Sequence, residues 1–255
     1  MTNKKITHKQ IEILILLYRF RFLTKQYIQL FLNHKDIRRI KSWLNNLKEQ
    51  NIIQVKSILE GEENEGKTVY FLSVESRQIL KDMEGIKTKE LDRIKREREH
   101  TDQFINHNLL IADVFLKFRT VTENTKLLFF TKTDIANFSH FFKPFPDVYI
   151  AIEENGEVTR RYFFDLFDGS VKRSKIRKRI EQYVEYFVSN DWEEKTTHPF
   201  PSILLVAPNK DMKDYLYRVI NAILSDEGVG ISFFLATKRA IQAYGVKKDT
   251  WQKVE

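Results

Sequence analysis

Cysteine is absent from the 255-residue chain, and its six histidines are scattered. Disulfides, thiolate nucleophiles and cysteine-ligated zinc are therefore excluded, and a reducing, cytoplasmic setting is expected. Glycine occurs eight times and proline five. So few glycines leave little room for a loop that cradles phosphates, and no nucleophile elbow is present, which argues against a small-molecule enzyme of either type. Long apolar runs are missing too. The most apolar early stretch, Ile11 to Leu17, contains Glu12, is followed by Arg19 and is too short to span a bilayer. It also lacks the cleavage pattern of a signal peptide, so no membrane partner is expected.

Charge is plentiful and unevenly placed. Residues 1–60 hold twelve Lys/Arg, Lys4 and Lys5 among them, against four acids, which accounts for the whole net charge of +8, while the other 195 residues balance. The basic character thus belongs to an N-terminal module, where a nucleic-acid footprint is the first thing to look for.

That module reads as three helices and a hairpin. Thr7 caps a first helix over about 7–20 with Leu14, Leu17 and Tyr18 at helical spacing. Thr24 caps a second with Ile28 and Phe31 on its apolar side, and Asn33-His34 ends it. A third, about 35–50, turns Ile37, Ile40, Trp43, Leu44 and Leu47 inward. Its other face presents Lys35, Arg38, Arg39, Lys41 and Asn45. Strands at 52–55 and 68–72, joined by a Gly-flanked acidic turn at 60–66, complete the order of a winged helix-turn-helix, whose third helix enters the major groove of duplex DNA. Arg38, Arg39 and Lys41 are the candidate groove and phosphate contacts, with Lys35 and Lys56 at the margins. The same face also reads as a merely solvated one. Trp43 and Tyr70 are read as core.

The expected division is a winged helix over 1–85, a charged, solvated connector over 86–99 and an α/β domain over 100–255. A long helix from Thr101 to about Arg119 opens the last, with Phe104, Ile105, Leu109, Ile111 and Phe115 in its apolar stripe. Strands follow at 127–131, 147–152 and 160–166, then a helix over 171–188, a strand at 202–207, a helix over 212–225 and a strand at 231–236. The order is αβββαβ with an extra αβ unit.

Pro146-Asp147 at the start of one strand and Asp165 near the end of its hairpin partner resemble the core of PD-(D/E)XK nucleases. There, two acids on adjacent strands bind a divalent metal and a lysine orients the attacking water. With the winged helix in front, the chain resembles the replication-relaxation family of plasmids and mobile elements. The stretches that carry this likeness are His107-Asn108-Leu109, Pro146-Asp147-Val148-Tyr149, Asp165-Leu166-Phe167-Asp168-Gly169-Ser170 and Arg179-Ile180-Glu181-Gln182-Tyr183.

The resemblance implies Mg²⁺ as cofactor, Asp147 and Asp165 as its ligands, and double-stranded DNA with other replication or mobilisation proteins as partners. Two positions depart from the nuclease pattern. Phe167 stands where the lysine is wanted, and Asp165 where the family suggests Glu. Lys172, Lys175 or Lys178 on the following helix is available to replace the lysine, and Lys178 is the catalytic candidate. Glu99 or Asp113 is a further candidate acid. Against this, Asp147 after proline also reads as a strand-initiating turn. Asp165, in the apolar run Tyr162-Phe163-Phe164-Asp165-Leu166-Phe167, needs a cationic partner of some kind.

The helix after Asp168 begins with six cations in eight residues, of which Lys172, Arg173 and Lys175 are the candidate contacts to a nucleic-acid backbone. Gln182 and Tyr186 fit a short nuclease pattern, whereas no tyrosine beside a paired-histidine motif marks a covalent nicking enzyme. Two functions are carried forward. One is a DNA-binding protein of a mobile element, with metal-dependent nicking. The other is a winged-helix transcriptional regulator whose second domain is a catalytically inactive dimerisation or partner-binding module. A homodimer is the assembly to test for.

Overall fold

A computed structural model of the chain describes residues 6–60, 65–121 and 125–255. Lys4, Lys5 and the centre of the acidic turn lie outside the described residues. The chain divides into two units, Met1–Leu116 and Lys117–Glu255.

In the first unit, α1 (His8–Phe20), α2 (Lys25–Phe31) and α3 (Ile37–Glu49) precede the hairpin β1 (Ile53–Glu60) and β2 (Glu65–Leu72). The helix starts are chemically specified. Thr7 and Gln10 form a reciprocal capping box, Thr24 accepts from Tyr27 N–H, and Asp36 accepts from Arg38 N–H. Between α1 and α2, Leu23 bridges antiparallel to Tyr70, adding a one-residue third strand to the hairpin. Buried Gln10 ties α1 to α3 through Asn46 Oδ1 at 2.7 Å. Ile40, Leu44 and Leu47 are buried as expected, whereas Trp43, Ile37 and Tyr70 are only half-buried. This is the element order of a winged helix-turn-helix.

After α4 (Ser76–Leu80) come α5 (Thr88–Leu91) and a 3₁₀ turn (Asp92–Glu99), which lead into α6 (Asp102–Val121). The expected solvated connector over 86–99 is corrected here. Leu91 and Ile94 are buried, and Glu97, 2% exposed, receives two hydrogen bonds from Arg21 at 2.9 and 3.0 Å. A connector full of mixed charge packs once its one inward carboxylate meets a fixed guanidinium. Ile105 and Leu109 of α6 join Phe22, Ile58, Val69 and Phe71 in one core cluster. The division between units therefore falls within α6.

The second unit is built on the strand order β3 (Lys126–Thr131), β4 (Val148–Glu154), β5 (Glu157–Leu166), β6 (Ser202–Ala207), β7 (Phe233–Thr237) and β8 (Gln252–Lys253). Its helices are α7 (Lys132–Ile135), α8 (Arg173–Val188), α9 (Asp191–Thr196), α10 (Lys210–Glu227) and α11 (Lys238–Tyr244). β3, β4 and β5 are antiparallel neighbours, and β6 and β7 continue parallel to β5. The mixed α/β class and the order read from the periodicity are both present, with α7, α9, α11 and β8 in addition. Residues two apart on a strand share a face. Phe163 accordingly packs with Tyr183 of α8, while Phe164 meets Trp251 on the opposite side.

Candidate functional site

Two places in the chain gather the residues that carry chemistry, and each lies within one unit. The first is the outer face of α3. Asn33, in the left-handed region at φ 48°, turns the chain out of α2, a conformation asparagine tolerates better than most residues. Gln29 Nε2 then donates to His34 O at 3.0 Å and Lys35 O at 3.3 Å, which fixes the turn into α3. The backbone hydrogen bond from Arg38 N–H to Asp36, with the Arg38 guanidinium beside it, holds the Asp36 carboxyl below its usual range. Lys35, Arg38, Arg39, Lys41, Ser42 and Asn45 are all exposed, Arg38 by 90% of its side chain. Arg38, Lys41, Ser42 and Asn45 recur at spacings of three and four, so they share one helix face. Arg39 lies aside from it, with its guanidinium 5.7 Å from the Trp43 ring centre. Lys56 requires a correction. Its ammonium donates to His100 O at 2.8 Å and pairs with Asp102 at 3.0 Å, so it ties the hairpin to the start of α6 instead of facing outward.

The second place is the acid pair. Val148 of β4 pairs with Phe164 of β5, which sets Asp147 beside Asp165 just beyond the last paired residues. The two are joined directly, Asp147 N–H donating to Asp165 Oδ1 at 2.9 Å, and Leu166 N–H donates to Asp147 Oδ2 at 2.8 Å. Both are buried, at 7% and 5% exposure. The structure thus brings the two acids side by side.

What completes the cluster is not the expected lysine. Lys178 is exposed on α8 and makes no ion pair among the described residues, and Lys172 and Lys175 are likewise exposed. The helix instead turns its neighbour Arg179 inward. Arg179 Nε donates to Asp165 Oδ2 at 2.6 Å, its Nη1 to Pro144 O at 2.7 Å and its Nη2 to Tyr183 Oη at 3.2 Å. Tyr183, one turn on, donates to the same Asp165 Oδ2 at 2.8 Å. On the other side Lys132, the first residue after β3, donates from Nζ to Asp147 Oδ1 at 2.5 Å. Its stem is exposed, 55% of the side chain, while its ammonium is turned onto the acid.

Charge and proton positions follow. Burial works against the Lys132 ammonium, but Asp147 and Asp165 outweigh it and hold its pKa above the ordinary lysine value. Arg179 behaves alike: burial disfavours its charge, and Asp165 more than restores it. Burial first, and then the Asp165 carboxylate, push the Tyr183 hydroxyl well above the ordinary tyrosine value, so it stays a neutral donor. Two carboxylates thus face two fixed cations, and every carboxylate oxygen has a protein donor.

A divalent ion does not fit this arrangement. Mg²⁺ favours near-octahedral coordination and keeps several waters, so it needs an open face and unneutralised oxygens. Here the acids are buried, and their charge is balanced by Lys132 and Arg179. Among the described residues, no group of three or more His, Asp or Glu is arranged to hold a metal. Glu99 and Asp113 lie in the other unit.

Of the remaining α8 cations, Arg177 pairs with Glu181 at 2.8 Å and the Arg173 guanidinium lies 4.8 Å from the Tyr215 ring centre. Lys172, Lys175 and Lys178 form an exposed basic edge. Sequence reasoning missed Lys132, which no motif marked, and gave Arg179 no role at the acid pair although it lies in a stretch that carries the family likeness. The signal for Arg179 was its i, i+4 spacing to Tyr183 on a helix that follows an acid-bearing strand.

A sequence model of the replication-relaxation family matches residues 14–203. The chain belongs to that family. No curated protein matches it. Among solved structures, a mutant of Lactococcus lactis ZitR is similar at 20% identity and a TM-score of 0.28, over 49% of this chain and 77% of that one. The replication-relaxation match spans α3 and the Asp147, Asp165, Arg179 and Tyr183 cluster alike. No helix among the described residues is long and apolar enough to cross a membrane.

Proposed function

We propose that this member of the replication-relaxation family is a duplex DNA-binding protein that acts in replication or its control on a plasmid or mobile element. The observation that carries the reading is the outer face of α3. There Arg38 and Lys41 stand exposed beside Ser42 and Asn45, on the third helix of a three-helix and hairpin unit. Cations at one helix face bind phosphates, and short polar side chains beside them reach base edges. Lys172, Lys175 and Lys178 give the second unit a basic edge of its own for a nucleic-acid backbone.

The second unit acts in this reading as a non-catalytic platform on a nuclease-like plan. The acid pair favours that over metal-dependent nicking, because Asp147 and Asp165 are spent on Lys132, Arg179 and backbone N–H groups. A winged-helix regulator with an inactive second domain has the same physical basis.

The test is fluorescence anisotropy with duplex from the element that carries the gene, across a salt series. Arg38→Ala with Lys41→Ala is expected to weaken binding and to reduce the slope of log affinity against log salt by about 2. Unchanged affinity and slope would remove α3 as the DNA contact. In parallel, supercoiled plasmid with Mg²⁺, with Mn²⁺ and with EDTA is expected to remain uncut in all three. Nicking that Asp147→Ala and Asp165→Ala abolish would make the second unit a nuclease.

A further inference from the structure

The face of β3, β4 and β5 that carries Asp165 also carries a cavity further along the strands. Cross-strand rows build its floor: Leu128, Ala151 and Arg161 stand in register, and Phe130 is opposite Tyr149. Phe138 and His140, from the loop after α7, form one wall, and α9 with the residues after it forms the other. The volume is about 370 Å³, within the range of small-ligand sites.

Its lining has a definite chemical character. Aromatic rings dominate: Phe130 and Tyr149 are tilted by 31° with centres 5.9 Å apart, and Phe138 lies 5.5 Å from His140. Phe138 remains 42% exposed, a large apolar ring left in solvent at the mouth. Basic groups stand among these rings, namely Arg161, Lys195 and His198, and no acid is found among the described residues that line the cavity. Arg161 is anchored by Nη1 to Val158 O at 3.3 Å. Among the described residues Lys195 pairs with half-exposed Asp191 at 2.6 Å, a contact an incoming anion can displace at little cost. Burial, with Lys195 nearby, keeps His140 below the ordinary histidine pKa, so it presents a neutral ring.

We propose that this cavity binds a nucleobase together with its phosphate. The base stacks against Phe138 and Tyr149, and the phosphate is met by Arg161 and Lys195. Flat rings with cations at the rim are what a base and its backbone require, and aromatic stacking accepts any base. A free nucleotide and single-stranded DNA present the same chemistry. The site is separate from the duplex-binding face of α3 and does not depend on it.

The experiment uses the full chain and fluorescein-labelled oligo(dT), followed by anisotropy, with unlabelled dTMP and an abasic sugar-phosphate oligomer of equal length as competitors. Oligo(dT) binds, and the abasic oligomer competes poorly. Competition by dTMP identifies a site that accepts a free nucleotide; its failure, with oligo(dT) still bound, identifies one that reads a base within a strand. Phe138→Ala and Lys195→Gln, both at exposed positions and each checked by thermal melting, weaken oligo(dT) binding by about tenfold. Both leave duplex binding intact, while Arg38→Ala does the reverse. The proposal is overturned if oligo(dT) fails to bind, if the abasic oligomer competes as well as oligo(dT), or if both variants bind oligo(dT) with unchanged affinity.

Discussion

Replacing Arg179 by methionine isolates the force that holds the second unit's buried acids. Methionine keeps the apolar stem that lies over the Phe142 and Tyr183 rings, where the guanidinium now sits 4.8 and 4.6 Å from their centres. It removes the three donors to Asp165, Pro144 O and Tyr183. Asp165, 5% exposed, is then left charged with Tyr183 Oη and Asp147 N–H as its remaining hydrogen-bond donors among the described residues. Breaking a buried pair on one side costs about 3–5 kcal/mol. For a unit of 139 residues, Lys117–Glu255, about 3 °C is lost per kcal/mol, so the melting transition should fall by roughly 9–15 °C. Calorimetry of the full chain reads this directly. Adding Asp165→Asn removes the stranded charge and keeps an acceptor for Asp147 N–H, so the double variant should melt above Arg179→Met. A loss below about 1 kcal/mol in the single variant, or a double variant that is worse by the sum of both changes, would refute the view that Arg179 is what makes the buried acid tolerable.

Two further outcomes are expected. Mg²⁺ or Mn²⁺ at millimolar concentration should leave the melting temperature unchanged, because Lys132 and Arg179 already neutralise the acids; a rise that Asp147→Asn abolishes would restore the metal site. In alkali, burial and the nearby Asp191 push Tyr186 up to about 12 from its ordinary value near 10. The unfolded chain therefore releases this proton first, so the stability present below pH 10 is lost as pH rises towards 12. Tyr186→Phe should flatten that decline by at most about 2.7 kcal/mol, and an unaltered alkaline slope in urea titrations would show that Tyr186 does not carry it.

The architecture was legible wherever one physical signal dominates. Caps at Thr7 and Thr24 and helical spacing in α1 and α3 fixed the first unit, and the apolar runs Phe163-Phe164 and Ile203-Leu204-Leu205 marked the strands of the second. Their burial is near complete, so hydrophobicity alone decides them. The stretch 86–99 was misread because ten charged residues between Lys87 and Glu99 resemble a solvated helix. One of them, Glu97, is the buried partner of Arg21, and nothing local distinguishes it from Glu99. Lys56 failed for the same reason: its partners, His100 O and Asp102, lie more than forty positions away.

The acid pair shows where such reading stops and why. Proline before Asp147 and an apolar run around Asp165 were enough to bring the two carboxylates together, since antiparallel register follows from a hairpin. Their chemistry depends instead on which cation reaches them, and that is decided by geometry across elements. Of the six cations at the head of α8, Lys178 and Arg179 are adjacent in sequence yet point 100° apart on a helix, so one is solvent-facing and the other is locked to Asp165. Lys132 comes from the start of α7, a different element altogether. A motif search that asks for a lysine near the second acid thus inspects the wrong segment, and finding Phe167 there says nothing about charge at the site. The informative quantity is the balance of the whole cluster, two carboxylates against Lys132 and Arg179. Restoring the missing lysine by Phe167→Lys would accordingly bring a third cation, with no third acid to balance it, and destabilise the unit, not awaken a nuclease.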